Sequence, residues 1–327
     1  MIIRLLKSNQ PCHFILIPVI VLALWFRSFL TPGFFPFFEG ENSMPLYSPL
    51  SQLLTGSPLI NNAVAAALVI LLSFMILRLN TVYDFIQIRT FLPSNIFVLI
   101  ASGLLSLHTL HPVYFGAFFF LLCIERIFNA YEEEIAYSTS FDAGFFLAVG
   151  SLFYLNLIFY FPVIWIGLLL MRKNREWRDF VLSLTGMVLP WLFAFSWYFL
   201  TDSLEELRAI ILQNITTSNS FLRDSIPFQV YLGFLTIITL WSSLFLMGQY
   251  DAKKISTRKY FQIFFLIFLI SVLLFFLIPA ASMEILVIMA VPLTFLISNY
   301  LIALKSQFWG NLFILVFIGL VIYMQFV

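Results

Sequence analysis

The sequence predicts an all-α fold: a polytopic transmembrane helical bundle of about eleven spans, with its N-terminus in the cytoplasm. Three observations lead there. The chain has 327 residues, of which 62% are hydrophobic and only 10% charged, too much apolar surface for a water-soluble protein to hide. Its apolar runs are continuous and do not alternate, which excludes a closed β-barrel and leaves helices that satisfy their own backbone groups in lipid. Its Lys and Arg residues also cluster in alternate connections, the asymmetry that orients membrane proteins.

Taken in order, runs long enough to span or half-span a bilayer lie at 13–30, 62–79, 94–109, 112–128, 142–156, 157–171, 180–200, 227–248, 260–279, 282–304 and 307–326. Arg4 and Lys7 precede the first run and no small-residue cleavage site follows it, so it reads as an uncleaved anchor. With the N-terminus inside, all 17 Lys and Arg except Arg27, Arg208 and Arg223 face the cytoplasm. This settles residues 142–171. One long span would put the basic segment Arg172–Arg178 outside, whereas a short re-entrant pair broken near Asn156 and Pro162 keeps it inside. The whole chain, 1–327, reads as one integral membrane domain.

Net charge is +1, so nothing suggests nucleic acid. Cys12 and Cys123 are too few and too isolated for a disulfide framework or a metal site. No phosphate-binding loop, dinucleotide fingerprint, zinc-protease helix or nucleophile elbow occurs. Acidic and basic residues are nearly absent from the middle of the spans, and inverted repeats are not evident, which argues against a proton-coupled transporter.

Polar chemistry gathers in the outward connections. The loop 31–61 is rich in Pro and Gly and carries Glu39 and Glu41. The turn between two spans carries His108 and His111. The segment 201–226 places Leu204, Leu207, Ile210 and Ile211 at helical spacing, as in a helix lying on the membrane surface, with Arg208 on it. Glu284 opens the tenth run. Each feature has two readings. Glu39 and Glu41 are either solvated loop residues or an acidic pair, one residue apart, able to share an ion or to take a proton. The histidines, three apart, either pack or cap a turn, or meet on one side of a helical turn to serve a site. Glu284 is a first-turn acid at a helix N-terminus, or it shares an outward cavity with Glu41. Arg27 is an interfacial partner for one of the loop carboxylates, or a contact for a substrate. Asn214-Ile215-Thr216 has the form of a glycosylation acceptor. The cytoplasmic run Glu132–Glu134 is a solvated face, or a dock for a basic partner.

The order of these pieces resembles the membrane-embedded type C glycosyltransferases. The residues carrying the resemblance are Pro45, Leu46 and Leu50 before the second span, the hairpin at His108–Pro112, "DAGFFLAVGSLFYLNLIFYFP" for the broken pair, and "SMEILVIMAVPLTFLISNYL" near the end. "KSNQPCHFILI", from Lys7 to Ile17, is similar to the N-terminal pattern of a family of bacterial polytopic proteins with no assigned activity. The first resemblance implies sugar transfer from a polyprenyl-linked donor at the periplasmic face of the bacterial inner membrane, during cell-envelope glycan assembly. Glu39 and Glu41 would then be catalytic and would hold Mg2+ or Mn2+, while Arg27, His108, His111, Arg208 and Glu284 would bind substrate. The alternative is a non-catalytic subunit or scaffold of an envelope assembly or export complex, or a lipid or glycolipid transporter. Membrane lipid is a partner in either case, and a membrane-protein partner in the second.

Overall fold

The computed structural model describes residues 13–33, 39–54, 57–86, 88, 90–131, 133, 137–173, 176–217, 226–249, 253–304 and 306–325. Arg4, Lys7, Cys12, Glu132, Glu134, Arg175 and Arg223 lie outside them, as does the side chain of Glu39. The described residues form helices and no strands: α1 His13–Leu24, α2 Phe26–Leu30, α3 Glu39–Asn42, α4 Ser48–Leu54, α5 Pro58–Tyr83, α6 Leu92–Ala101, α7 Pro112–Asn129, α8 Tyr137–Phe153, α9 Phe161–Met171, α10 Trp177–Leu200, α11 Leu204–Thr216, α12 Ile226–Gly248, α13 Ile255–Leu277, α14 Ile285–Ala303 and α15 Gln307–Met324. Short 3-10 turns at Leu105–His108 and Leu155–Tyr160 precede α7 and α9.

Local sequence sets many of these boundaries. Pro58, Pro93, Pro112 and Pro162 stand at the first or second position of α5, α6, α7 and α9, where the missing N–H is no loss. Ser57 caps α5 by accepting from the Ile60 amide at 3.2 Å.

Seven helices are long and apolar enough to cross a membrane: α5, α7, α10, α12, α13, α14 and α15. The chain is therefore a membrane protein by length and composition of its helices. The other four of the eleven expected runs are shorter helices. The run at 13–30 is divided at Trp25, and the run at 94–109 stops as a helix at Ala101, leaving α6 only ten residues long. The stretch 142–171 is interrupted at Tyr154, as the polar residue and proline there suggested.

Helix α14 is the axis of the bundle. It is buried almost all round and packs on α6, α7, α12 and α13, which is where a helix apolar on every face belongs. A second tight unit is α8 between α7 and α10. Gly144 of α8 lies so close to α10 that a Cβ there would sit 2.0 Å from the Ser183 carbonyl oxygen, and one on Gly186 would sit 2.2 Å from that of Phe141. On the other face, Gly116 and Gly150 bring the α7 and α8 backbones together. Small residues permit this approach, which lipid-embedded helices use for want of a hydrophobic drive to associate.

Candidate functional site

At the end of the bundle where α7 and α14 begin and α8 and α10 end, four connections converge. α3 is pressed into this end by α11, whose Leu207 and Ile210 are buried. Asn214 of α11 donates through Nδ2 to the Gly40 carbonyl at 2.7 Å and to the Ile210 carbonyl at 2.9 Å. Its acceptor-like triplet thus serves packing. Tyr47 fixes the segment after α3 by donating to the Leu110 carbonyl at 3.1 Å.

This packing buries Glu41, which keeps only 2% of its surface exposed. The solvated-loop reading fails for this residue. Its Oε2 lies 2.9 Å from Nε2 of His111, itself fully buried. The imidazole tautomer follows from its other nitrogen. Nδ1 accepts from the Val113 amide at 3.0 Å, capping α7, so the ring proton resides on Nε2 and is donated to Glu41. A second proton on Nδ1 would break the cap and oppose the positive helix terminus. The contact is a hydrogen bond from a neutral imidazole, and burial holds His111 down at about 4. Burial likewise pushes Glu41 up to about 8.

Glu284 completes the cluster. Its Oε1 accepts from the Ser282 amide at 2.7 Å and from the Tyr154 hydroxyl at 3.2 Å. Tyr154 in turn accepts from Nδ2 of Asn156 at 3.1 Å, and its ring lies 6.2 Å from that of His111. Burial, then the charge of Glu41, pushes Glu284 up to about 7, against the pull of His111 and of nearby amides. Two polar atoms at the same place, Oδ1 of Asn156 and Oγ of Ser282, are buried without a hydrogen-bond partner. Such atoms are costly unless a water or ligand group meets them.

Beside the cluster runs an apolar groove of about 640 Å3 between α8, α10 and the segment 45–49. Leu46, Phe145, Leu152, Phe193 and Trp197 line it, and Pro190 interrupts the α10 wall. The amide of Leu46 donates to the Leu152 carbonyl at 3.3 Å, tying the segment to the end of α8 two residues before Tyr154.

The remaining candidates stand apart. His108 and His111 do not share a turn: the 3-10 helix ends at His108 and the chain is extended at Thr109. His108 stacks on Trp25 at 4.3 Å, accepts from Ser28 at 2.7 Å and donates through Nε2 to the Ser102 carbonyl at 3.1 Å. Arg27 donates to the Gln325 carbonyl. Arg208 is exposed on α11, 3.6 Å from Glu205. Among the described residues no three His, Cys, Asp or Glu side chains form a metal-ligand set. Sequence reasoning missed Tyr154, Asn156 and Ser282 as members of the site. The only sign of them was the helix break at Asn156.

No curated protein and no solved structure matches the chain. Residues 53–327 match the sequence profile described as Family of unknown function (DUF6427). That segment contains His111, Tyr154 and Glu284, and it begins after Glu41. Because it spans well over half of the chain, the protein belongs to the family of unknown function DUF6427.

Proposed function

We propose that the protein is a membrane-embedded transferase of the type C glycosyltransferase kind. It would move a sugar from a polyprenyl-linked donor to an acceptor hydroxyl at the periplasmic face of the bacterial inner membrane, in assembly of cell-envelope glycan. The observation that carries this reading is the buried Glu41–His111 hydrogen bond, set beside Glu284 and an apolar groove of lipid-chain size.

In the proposed step the acceptor oxygen forms a bond to the anomeric carbon. The bond from that carbon to the phosphate oxygen breaks, and the polyprenyl phosphate leaves with the electron pair. Ionised Glu41 takes the hydroxyl proton. A carboxyl raised to about 8 is a stronger base than an exposed one, which suits proton abstraction near neutral pH. His111 orients that carboxylate through Nε2. Tyr154 and Ser282 hold Glu284, and the unpartnered atoms of Asn156 and Ser282 offer contacts for sugar hydroxyls. Glu41 is buried where α3 meets α11 and the end of the bundle, so the step requires the segment around 39–49 to lift. Glu41 and Glu39 would hold a divalent ion, which would offset the charge of the leaving phosphate. The test is Glu41→Gln, alone and with Glu39→Gln, in cells that make the glycan. Loss of glycan at unchanged protein level is expected, and normal glycan would end the catalytic assignment.

One observation favours a second reading. No Lys or Arg pairs with Glu41 or Glu284 among the described residues, so a cation to hold the leaving phosphate is lacking there. A non-catalytic subunit of an envelope assembly or export complex, or a lipid or glycolipid transporter, needs none. Co-purification of a partner in fixed stoichiometry, with glycan unaffected by Glu41→Gln, would select the subunit.

A further inference from the structure

A second apolar groove lies toward the opposite end of α14 from Glu284, where α12 ends and α13 begins. Its volume is about 530 Å3. Leu246 and Met247 of α12, Phe261 and Phe265 of α13 and Leu296 of α14 form its apolar walls. Near the start of α13 the lining becomes polar, with Arg258 and Gln262.

The connection at this mouth is basic. Residues 251–259 carry Lys253, Lys254, Arg258 and Lys259 against Asp251 alone. Arg258 donates through Nε to the Lys253 carbonyl at 2.9 Å, which fixes the guanidinium at the groove. Lys253 reaches Asn299 at 2.8 Å and lies 5.5 Å over the Phe261 ring, while Lys259 lies 5.2 Å over Tyr131. None of the three lysines forms an ion pair with an acid among the described residues, and Lys254 is exposed. An apolar trench between membrane helices with a cationic rim complements one molecule in both parts: a hydrocarbon chain for the trench and an anion for the rim.

We propose that this groove binds an anionic phospholipid, with one acyl chain between α12 and α13 and the phosphate held by Arg258 and Lys254. The site is independent of the chemistry at Glu41 and would anchor the protein in the leaflet on its basic side.

The test uses the full-length protein in detergent, stripped of lipid and titrated with phosphatidylglycerol, with phosphatidylcholine and with inorganic phosphate, read by native mass spectrometry. Retention of phosphatidylglycerol over phosphatidylcholine is expected, with no adduct of inorganic phosphate alone. Each basic residue removed, in Arg258→Ala and Lys254→Ala, should weaken binding roughly fivefold. Leu246→Trp, which fills the trench and leaves the rim intact, should abolish it. Lys254→Ala, at an exposed position, keeps the test decisive should Arg258→Ala fail to fold. Equal retention of the two lipids, or binding unchanged in Leu246→Trp and Lys254→Ala, would overturn the proposal. So would inorganic phosphate binding as well as the lipid.

Discussion

Replacing Glu41 by Gln tests the buried acid directly. The amide keeps an oxygen to accept the Nε2 proton of His111 and removes the titration. In the folded protein Glu41 is raised from 4.5 to about 8, so the folded state holds a proton that the unfolded state has lost. Stability therefore falls as pH rises through this interval and levels off above 8. Each pH unit inside it corresponds to about 1.4 kcal/mol. Between pH 6.5 and 8 the wild type is expected to lose about 2 kcal/mol through Glu41. Glu284, raised to about 7, adds ~0.7 kcal/mol over the first half unit. His111 is lowered from 6.5 to about 4; its contribution rises with pH below 6.5 and is flat across the chosen window. At roughly 2–4 °C per kcal/mol for a large domain, the Glu41 part alone is a fall in Tm of about 4 °C or more. The assay is tryptophan-fluorescence melting in detergent at one fixed scan rate, at pH 6.5 and pH 8, for the wild type and Glu41→Gln. The variant should keep only the smaller Glu284 part. An equal fall in both proteins would refute the burial of a titrating Glu41.

Two further outcomes follow from packing. His111→Ala removes the cap on Val113 and the donor to Glu41. It should cost about 2–3 kcal/mol, while His111→Asn, which can cap, should recover about 1 kcal/mol of that without restoring any activity; melting and glycan analysis separate the two. Gly144→Ala and Gly186→Ala drive a methyl group into a facing carbonyl and should lower the yield of monodisperse protein sharply. Gly233→Ala, with nothing within 4 Å, should behave as wild type.

Much of the fold was legible because lipid imposes a simple rule: a continuous apolar run must be helical. Hydropathy could not tell where such a run stops being straight. The run at 94–109 looks like one span, yet it turns at Ser102 and Gly103, and His108 is drawn under Trp25 by a side-chain network no local pattern encodes. The candidate site was half legible. Glu41, His111 and Glu284 stood out as polar residues in greasy connections, and the capping role of a histidine was one of its expected uses. Their convergence was not readable, since Glu41 and His111 are 70 residues apart and meet only because α11 presses α3 inward. Arg208 misled because it lies on that same α11, on the face turned away from the bundle; its side chain is 72% exposed. Helical spacing gives a residue's face but not which face meets the bundle.

The glycine contacts of α8 have a consequence for how the groove beside the cluster could fill. With α8 locked to both α7 and α10, two sides of that trough are a fixed frame. The third side, 45–49, is tied to it by the Leu46 amide, with the Tyr47 hydroxyl held by Leu110, and continues directly into the helix bearing Glu41. A chain entering the trough would therefore push on a strip that runs straight on from the helix carrying the acid. In the proposed transferase, arrival of the donor's tail and unveiling of the Glu41 carboxylate would be one mechanical event.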